Sequence, residues 1–157
     1  MQLKITGTAT LGDIRSKCKI VDEEMQRICE IPLEIIAEDN DGAILDALYV
    51  GELFDALWDQ RGEIRMPHFS AQAIDYPLRN VRLDVATKGN TGALTIEALD
   101  LRKLKWRCEP GWKLCITAKA RAAVTLDQWS MLWQLQPYAH LSITLTDNQS
   151  ALSLEAA

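Results

Sequence analysis

Hydrophobic and polar residues alternate along most of the chain, and a period of two residues is typical of half-buried β-strands. In residues 2–11, Leu3, Ile5 and Ala9 share one face and polar side chains take the other. The same alternation recurs in later segments, at 14–20, 29–35, 81–85, 94–101, 101–108, 113–122 and 139–146. Its phase slips by one residue near Ala98, which predicts a β-bulge at that point.

Two segments have the 3.6-residue period of amphipathic helices instead. The first covers residues 43–59, and its two halves present different apolar faces, so Gly51 is expected to divide it into two short helices. The second covers residues 126–136. Just before it, Thr125 and Gln128 have the spacing of a capping box, which marks the start of a helix.

Together these elements predict a β-rich α+β fold in which residues 1–157 form a single globular domain. About eight or nine mainly antiparallel strands form a sandwich or a partly open barrel, with two short helices. Residues 66–78 show no clean period and are predicted to be a loop. No segment approaches the roughly 18 apolar residues of a membrane span. The N-terminus lacks the features of a signal peptide, so we expect a soluble cytoplasmic protein.

Opposite charges line the second and third predicted strands. Arg15, Lys17 and Lys19 share one face of the second strand, and Glu30 belongs to an acidic face of the third. If the two strands pair, these faces meet as cross-strand ion pairs and help to set the register. Pro32 removes a backbone donor, so the third strand is expected to be an edge strand or to be bulged there.

A predicted hairpin at residues 101–124 concentrates the positive charge of the chain. Residues that pair across a hairpin point to the same side, so Arg107 can oppose either Lys113 or Cys115. These registers leave a loop of about five or three residues around Pro110, and both lengths are allowed. In either register one surface carries the same six cations: Lys103, Lys105, Arg107, Lys113, Lys119 and Arg121.

Three other residues of this hairpin affect what it can bind. Strict alternation places Leu101 on the cationic surface and Arg102 on the opposite one. Trp112 lies at the tip beside the lysines. Its indole could be exposed and stack on a nucleobase, anchor a protein interface, or fold back and cover the hairpin.

The net charge of −5 is distributed unevenly along the chain. Residues 1–60 carry 5 Lys/Arg and 13 Asp/Glu, residues 61–122 carry 12 and 6, and residues 123–157 carry 0 and 3. Such segregation determines surface potential and choice of partner rather than fold. A pI near 5.0 disfavours general nucleic-acid binding, although a local basic face can still bind phosphate.

The residues that could carry chemistry form no catalytic or metal-binding motif. His68 lies near Ser70 in the predicted loop and is the one candidate base for a nucleophile, whereas His140 is expected on the solvent face of a strand. The four cysteines contain no C-x-x-C pair, so we expect free thiols without a metal: Cys18, Cys29, Cys108 and Cys115.

Residues 57–67, Leu-Trp-Asp-Gln-Arg-Gly-Glu-Ile-Arg-Met-Pro, resemble a segment of small, uncharacterised phage- and prophage-encoded proteins of β-rich fold. The order of elements is similar as well, with a short Leu-Asp-Ala-Leu helix and a helix before a last Leu-x-Ile-x-Leu strand. The resemblance spans roughly two thirds of the chain, and its motif is structural, so no active residues carry over. It implies an accessory role for a phage in the cytoplasm of a bacterial host.

These observations lead to three hypotheses of function. In the first, the chain is a non-enzymatic phage-type interaction protein that binds a host or phage macromolecule, such as a nucleic-acid-processing or defence complex, through its charged faces. In the second, the basic hairpin with Trp112 binds single-stranded nucleic acid. In the third, His68 is the centre of a small hydrolase-like enzyme. A protein partner is expected first and nucleic acid second, exposed strand edges favour a homo-oligomer, and no cofactor, metal or membrane is expected.

Overall fold

The structure is a computed structural model that describes residues 3–39, 42–66, 72–75, 77–89 and 92–148. Its strands are β1 (Lys4–Leu11), β2 (Arg15–Val21), β3 (Glu24–Glu38), β4 (Gln72–Ala73), β5 (Leu78–Thr87), β6 (Ala93–Glu109), β7 (Lys113–Val124) and β8 (Leu141–Asp147). Its helices are α1 (Ala43–Ala47), α2 (Phe54–Leu57) and α3 (Leu126–Leu135), with a 3-10 turn at Gly51–Leu53. The predicted β-rich α+β class is confirmed.

Six strands close into an antiparallel barrel in the order β1–β8–β5–β6–β7–β3, and β1 pairs with β3 to complete the ring. The strands thus form one sheet that closes on itself, where the sequence predicted a sandwich or a partly open barrel. Two strands lie outside the ring, β2 beside β3 and β4 beside β6. Because β4 is a strand, the prediction of a loop throughout residues 66–78 is wrong at that point; residues 67–71 and 76 lie outside the described residues.

Closure of the barrel depends on β3, because two strands share one of its edges. β2 pairs with residues 24–30 and β1 with residues 33–37, while β7 covers the other edge. Pro32 lies in the gap, and its carbonyl accepts a hydrogen bond from the Gly12 N–H at 2.8 Å. The missing N–H of Pro32 points to the same side, where no ladder continues. The prediction of an edge strand or a bulge at Pro32 is therefore wrong: β3 is an interior strand that changes partner there.

The interior of the barrel is filled by alternate apolar side chains of its strands, such as Trp106 and Ile116, which are both almost fully buried. Three register shifts interrupt the alternation, at Asn80, near Ala98 and at Lys103. The bulge predicted near Ala98 is confirmed. Bulges bend a strand and increase its twist, which lets the 17 residues of β6 follow the curved wall.

Side-chain hydrogen bonds to backbone N–H groups stabilise the first turns of α1 and α3. The buried Asp39 caps α1, because its Oδ1 accepts a hydrogen bond from the Ile44 N–H at 2.8 Å. The predicted division into two short helical segments is confirmed, but the break lies at residues 48–50, and Gly51 begins the second segment. The predicted capping box of α3 is confirmed as well, since Gln128 N–H donates to Thr125 Oγ1 and Thr125 N–H donates to Gln128 Oε1. None of the described helices has the length and hydrophobicity that a membrane crossing requires.

The hairpin of β2 and β3 continues past the barrel strands, and we call residues 15–30 the β2–β3 arm. Residues 24–26 of β3 pair with β2 but with neither β1 nor β7. Ile20 and Met25 lie opposite each other on the apolar face of the arm. Their side chains are nevertheless 75% and 74% exposed. The arm therefore presents apolar side chains that the core does not cover.

The four cysteines are free thiols in different environments. Cys18 is exposed on the β2–β3 arm, whereas the other three are buried. Burial raises the pKa of the Cys29 thiol to about 11 and also raises the pKa values of Cys108 and Cys115. The register directs Cys108 into the barrel and Cys115 to its outer side, the opposite faces that the alternation predicted.

Replacing Gly7 by alanine is expected to destabilise the barrel. Gly7 pairs with Ala37 on one side and Ile143 on the other, and a Cβ at this position would overlap the carbonyl of Ile36. Overpacking of this kind costs about 1–3 kcal/mol, so urea denaturation should show a loss of that size in the free energy of unfolding. The matched variant Gly92→Ala, whose Cβ would make ordinary contacts from 3.6 Å outward, should change it by less than about 0.5 kcal/mol. Equal losses would contradict the argument.

The native protein should have a single fast-reacting thiol. Cys18 is exposed, while the raised pKa values of the buried thiols lower their thiolate fractions at about pH 8. Titration with DTNB should release one equivalent quickly and the remainder only after denaturation in urea. The variant Cys18→Ser should lose the fast phase alone. A second fast thiol in the native wild type would show that the burial pattern is wrong.

Candidate macromolecule-binding surface

A row of cations projects from the outer side of β6 and β7. We call it the basic strip, and it comprises Arg102, Lys103, Lys105, Arg107, Lys113, Lys119 and Arg121. The side chains that alternate with them, such as Leu104, Trp106 and Ala120, point into the barrel and are apolar and buried. The alternation that builds the core therefore also directs the cations outward. Six of the seven are the predicted cations, and Arg102 is the addition.

The register of the β6–β7 hairpin places the two halves of the basic strip on one face. Arg107 lies opposite Cys115 and Glu109 opposite Lys113, so residues 110–112 form the loop. This is the shorter of the two loops that the sequence allowed. Because opposed residues point to the same side of a sheet, the strip residues of both strands project together.

The bulge at Lys103 changes which residues face outward. Arg102 and Lys105 are three residues apart on β6, but they pair with β7 residues that are two apart, so Lys103 is the extra residue. Its φ of 52° lies in the left-handed region. As a result Leu101 is fully buried and Arg102 is exposed. The prediction that placed Leu101 on the cationic surface is wrong, because one extra residue inverts the alternation beyond it.

Trp112 belongs to the hairpin loop and not to the outer face of the strands. Its indole is half-buried and lies against Gly62, where an added Cβ would come within 2.9 Å of the ring. Its carbonyl accepts a hydrogen bond from the Asp39 N–H at 2.7 Å. Of the three predicted arrangements the indole adopts a folded-back one, although it covers the turn at residues 59–62 rather than the hairpin. The basic strip is therefore defined without Trp112.

Most cations of the basic strip form no ion pair with a described residue. Within the described residues two ion pairs involve the strip: Arg107 Nε to Glu109 Oε1 at 2.9 Å and Lys119 Nζ to Glu30 Oε1 at 3.6 Å. The hydrogen bond that Arg107 donates to Glu109 raises the pKa of the guanidinium. The other five have no carboxylate oxygen of a described residue within 4.0 Å. Their charge is available to a ligand.

Two grooves extend the charged surface from the basic strip toward β2 and β5. The first has a volume of about 550 Å³, and its charged lining residues are Arg15, Lys17, Lys19, Glu30 and Arg121. The second, of about 650 Å³, runs from Lys19 to Arg79, with the exposed Ala98 and Ala123 among its lining residues. Cations thus border a surface of small apolar residues. The alternation within single strands does not reveal this combination, because it depends on the register of five strands.

The predicted ion pairs between β2 and β3 are largely wrong. Arg15 does lie opposite Glu30, but the residues opposite Lys17 and Lys19 are uncharged. The Glu30 carboxylate contacts Lys119 instead. No described carboxylate lies within 4.0 Å of the three β2 cations. The period of a strand shows which residues share a face, but not which residue of the neighbouring strand lies opposite.

The remaining residues that could carry chemistry form no described catalytic or metal site. His68 lies outside the described residues, and the enzyme centred on it stays a prediction. His140 is exposed just before β8. The hydrogen bonds from Arg82 and Thr95 lower the pKa of Asp84, so its perturbation has a structural cause. In the part of the chain that the structure describes, no group of three or more His, Cys, Asp or Glu side chains is placed to hold a metal ion.

Comparison with known proteins adds no further assignment. No family model matches the chain, and neither a curated protein nor a solved structure was found to be similar to it. The resemblance to phage-encoded proteins therefore stays a prediction.

Proposed function

We propose that the protein is a non-enzymatic binding module whose basic strip holds an acidic surface of a partner protein. The observation that carries the proposal is the set of five strip cations that have no carboxylate oxygen of a described residue within 4.0 Å. They project from strands of a closed barrel, which holds them in a defined spacing. In line with the resemblance to phage proteins, the partner is a bacterial or phage protein of a nucleic-acid-processing or defence complex.

The charges around the basic strip favour a protein over a nucleic acid. Glu30, Glu34 and Glu38 follow one another along the outer side of β3, directly beside β7. A phosphate backbone that lies along the strip would approach these carboxylates and be repelled. A protein surface can instead place its own cations opposite them. In addition, no aromatic residue lies on the outer side of β6 and β7 in the described part of the chain, so bases find no stacking partner there.

Single-stranded nucleic acid is the second candidate ligand. It is favoured by the seven cations of the basic strip, which could contact several phosphates at once. Binding of that kind falls steeply with salt concentration, and this property distinguishes the two candidates.

Removing three charges from the strip should abolish partner capture. The variant K103A/K105A/R107A keeps every inward-facing residue, so we expect an intact barrel by circular dichroism and thermal denaturation. Immobilised wild type should retain an acidic protein from a bacterial lysate, and the variant should bind that protein about tenfold more weakly once it is purified. Titration calorimetry gives the affinities. If the variant retains every protein that the wild type retains, the basic strip is not the binding surface.

A matched control removes the same amount of charge elsewhere. Lys4, Arg61 and Lys88 are exposed and lie outside the basic strip, so K4A/R61A/K88A should bind the partner like the wild type. Fluorescence anisotropy with labelled single- and double-stranded oligonucleotides at about 50 and 200 mM salt tests the second candidate. Tight oligonucleotide binding that is lost at the higher salt and in the strip variant would show that the ligand of the basic strip is nucleic acid and not an acidic protein.

A further inference from the structure

β2 offers an unpaired strand edge outside the barrel. Its residues pair with β3 on one side, and no described strand pairs with the other side. An edge of this kind presents a row of backbone N–H and C=O groups that an extended peptide can satisfy by adding a strand. Backbone groups alone accept many sequences, so the side chains of β2 determine which peptide fits.

The two faces of β2 favour different side chains in a neighbouring strand. Arg15, Lys17 and Lys19 project on the outer face, are exposed, and have no carboxylate of a described residue within 4.0 Å. On the other face Cys18 is exposed and Ile20 is 75% exposed. Residues opposite each other in adjacent strands share a face. A strand added to β2 would therefore place every second side chain among cations and the others beside apolar groups.

The apolar face of the β2–β3 arm continues beyond β2. Met25 lies opposite Ile20 and is 74% exposed. Next along this face of β3, Arg27 lies over the ring of Trp129 at 4.8 Å, and Trp129 packs edge-on against Trp133 at 5.5 Å. Trp133 is itself half exposed. Exposed apolar side chains such as Ile20 and Met25, which lie side by side, are typical of interaction sites when they form a patch.

A second copy of the chain is a poor occupant of this edge. If two β2 strands paired in antiparallel register, Lys17 would face Lys17 and Arg15 would face Lys19, and like charges directly opposite each other destabilise a sheet. A shift of one residue would put the cations of one copy beside Cys18 and Ile20 of the other. Lysine on an edge strand is a known means of preventing such pairing.

We propose that the free edge of β2 binds an extended segment of a partner protein in which acidic residues alternate with apolar ones. The acidic side chains lie beside Arg15, Lys17 and Lys19, and the apolar ones lie on the side of Cys18 and Ile20. The edge site adjoins the basic strip, since one groove is lined by Arg121 and by the β2 cations. It depends on the free backbone edge of β2, which the strip does not use, so either site can fail without the other.

A synthetic peptide tests the proposal. The probe is as long as β2, 7 residues, alternates glutamate with valine, and carries a fluorophore for anisotropy measurements. A peptide of the same composition, with its glutamates consecutive, keeps the charge but loses the alternation. The alternating peptide should bind saturably, and the rearranged one about tenfold more weakly. No saturable binding up to about 1 mM, or equal binding of both peptides, would overturn the proposal.

Variants and hydrogen exchange locate the bound peptide. Lys17→Glu with Lys19→Glu should weaken binding at least tenfold, while the matched pair Lys4→Glu with Lys88→Glu, which changes the charge equally elsewhere, should leave it within about twofold. Amide hydrogen exchange should slow in β2 when the peptide binds. Protection confined to β6 and β7, with binding lost in K103A/K105A/R107A, would move the peptide to the basic strip and reject the edge site.

Discussion

The pairing of β1 with β3 is the interaction on which the rest of the molecule depends. It closes the barrel, and it requires β2 to leave the edge of β3 at Pro32, where no backbone N–H is available for a ladder bond. Gly7 allows the two strands to approach where a Cβ would meet the neighbouring backbone. Without this exchange β2 would keep the whole edge of β3, and the sheet would remain open.

The same exchange separates two surfaces with different physical character. Within the ring, β6 and β7 are paired on both sides, so the basic strip has a fixed geometry and offers only side chains to a ligand. Outside the ring, β2 is paired on one side and offers both backbone groups and side chains. A partner would bind the first surface by charge complementarity and the second by extending the sheet. The two proposed sites would thus use different modes of recognition in a chain of 157 residues.

Local patterns in the sequence predicted the local features of this structure well. Alternation located the main strands, a slip in its phase located the bulge near Ala98, and the spacing of Thr125 and Gln128 located the start of α3. The sequence did not predict the bulge at Lys103, because residues 101–108 can be assigned to alternate faces without any slip in phase. That single residue decides whether Leu101 or Arg102 faces outward.

Relations between distant strands could not be predicted in the same way. Whether Lys17 meets an acid or Ile28 depends on the register of β2 against β3, and a shift of two residues leaves every face unchanged. Closure likewise depends on a contact between the first strand and residues 33–37, which no short motif encodes. The candidate site was therefore predicted in its composition, with six of seven strip residues, but not in its extent toward β2.

The position of Cys18 has a practical consequence for any measurement of assembly. A solvent-accessible thiol on a projecting arm is free to meet the same thiol of another molecule, and oxidation in air then links the two chains covalently. Such a crosslinked species would have twice the mass of the chain and would vanish on addition of a reducing agent. Association that persists in reductant, or in a chain that carries serine at this position, is the kind that reflects recognition between folded surfaces.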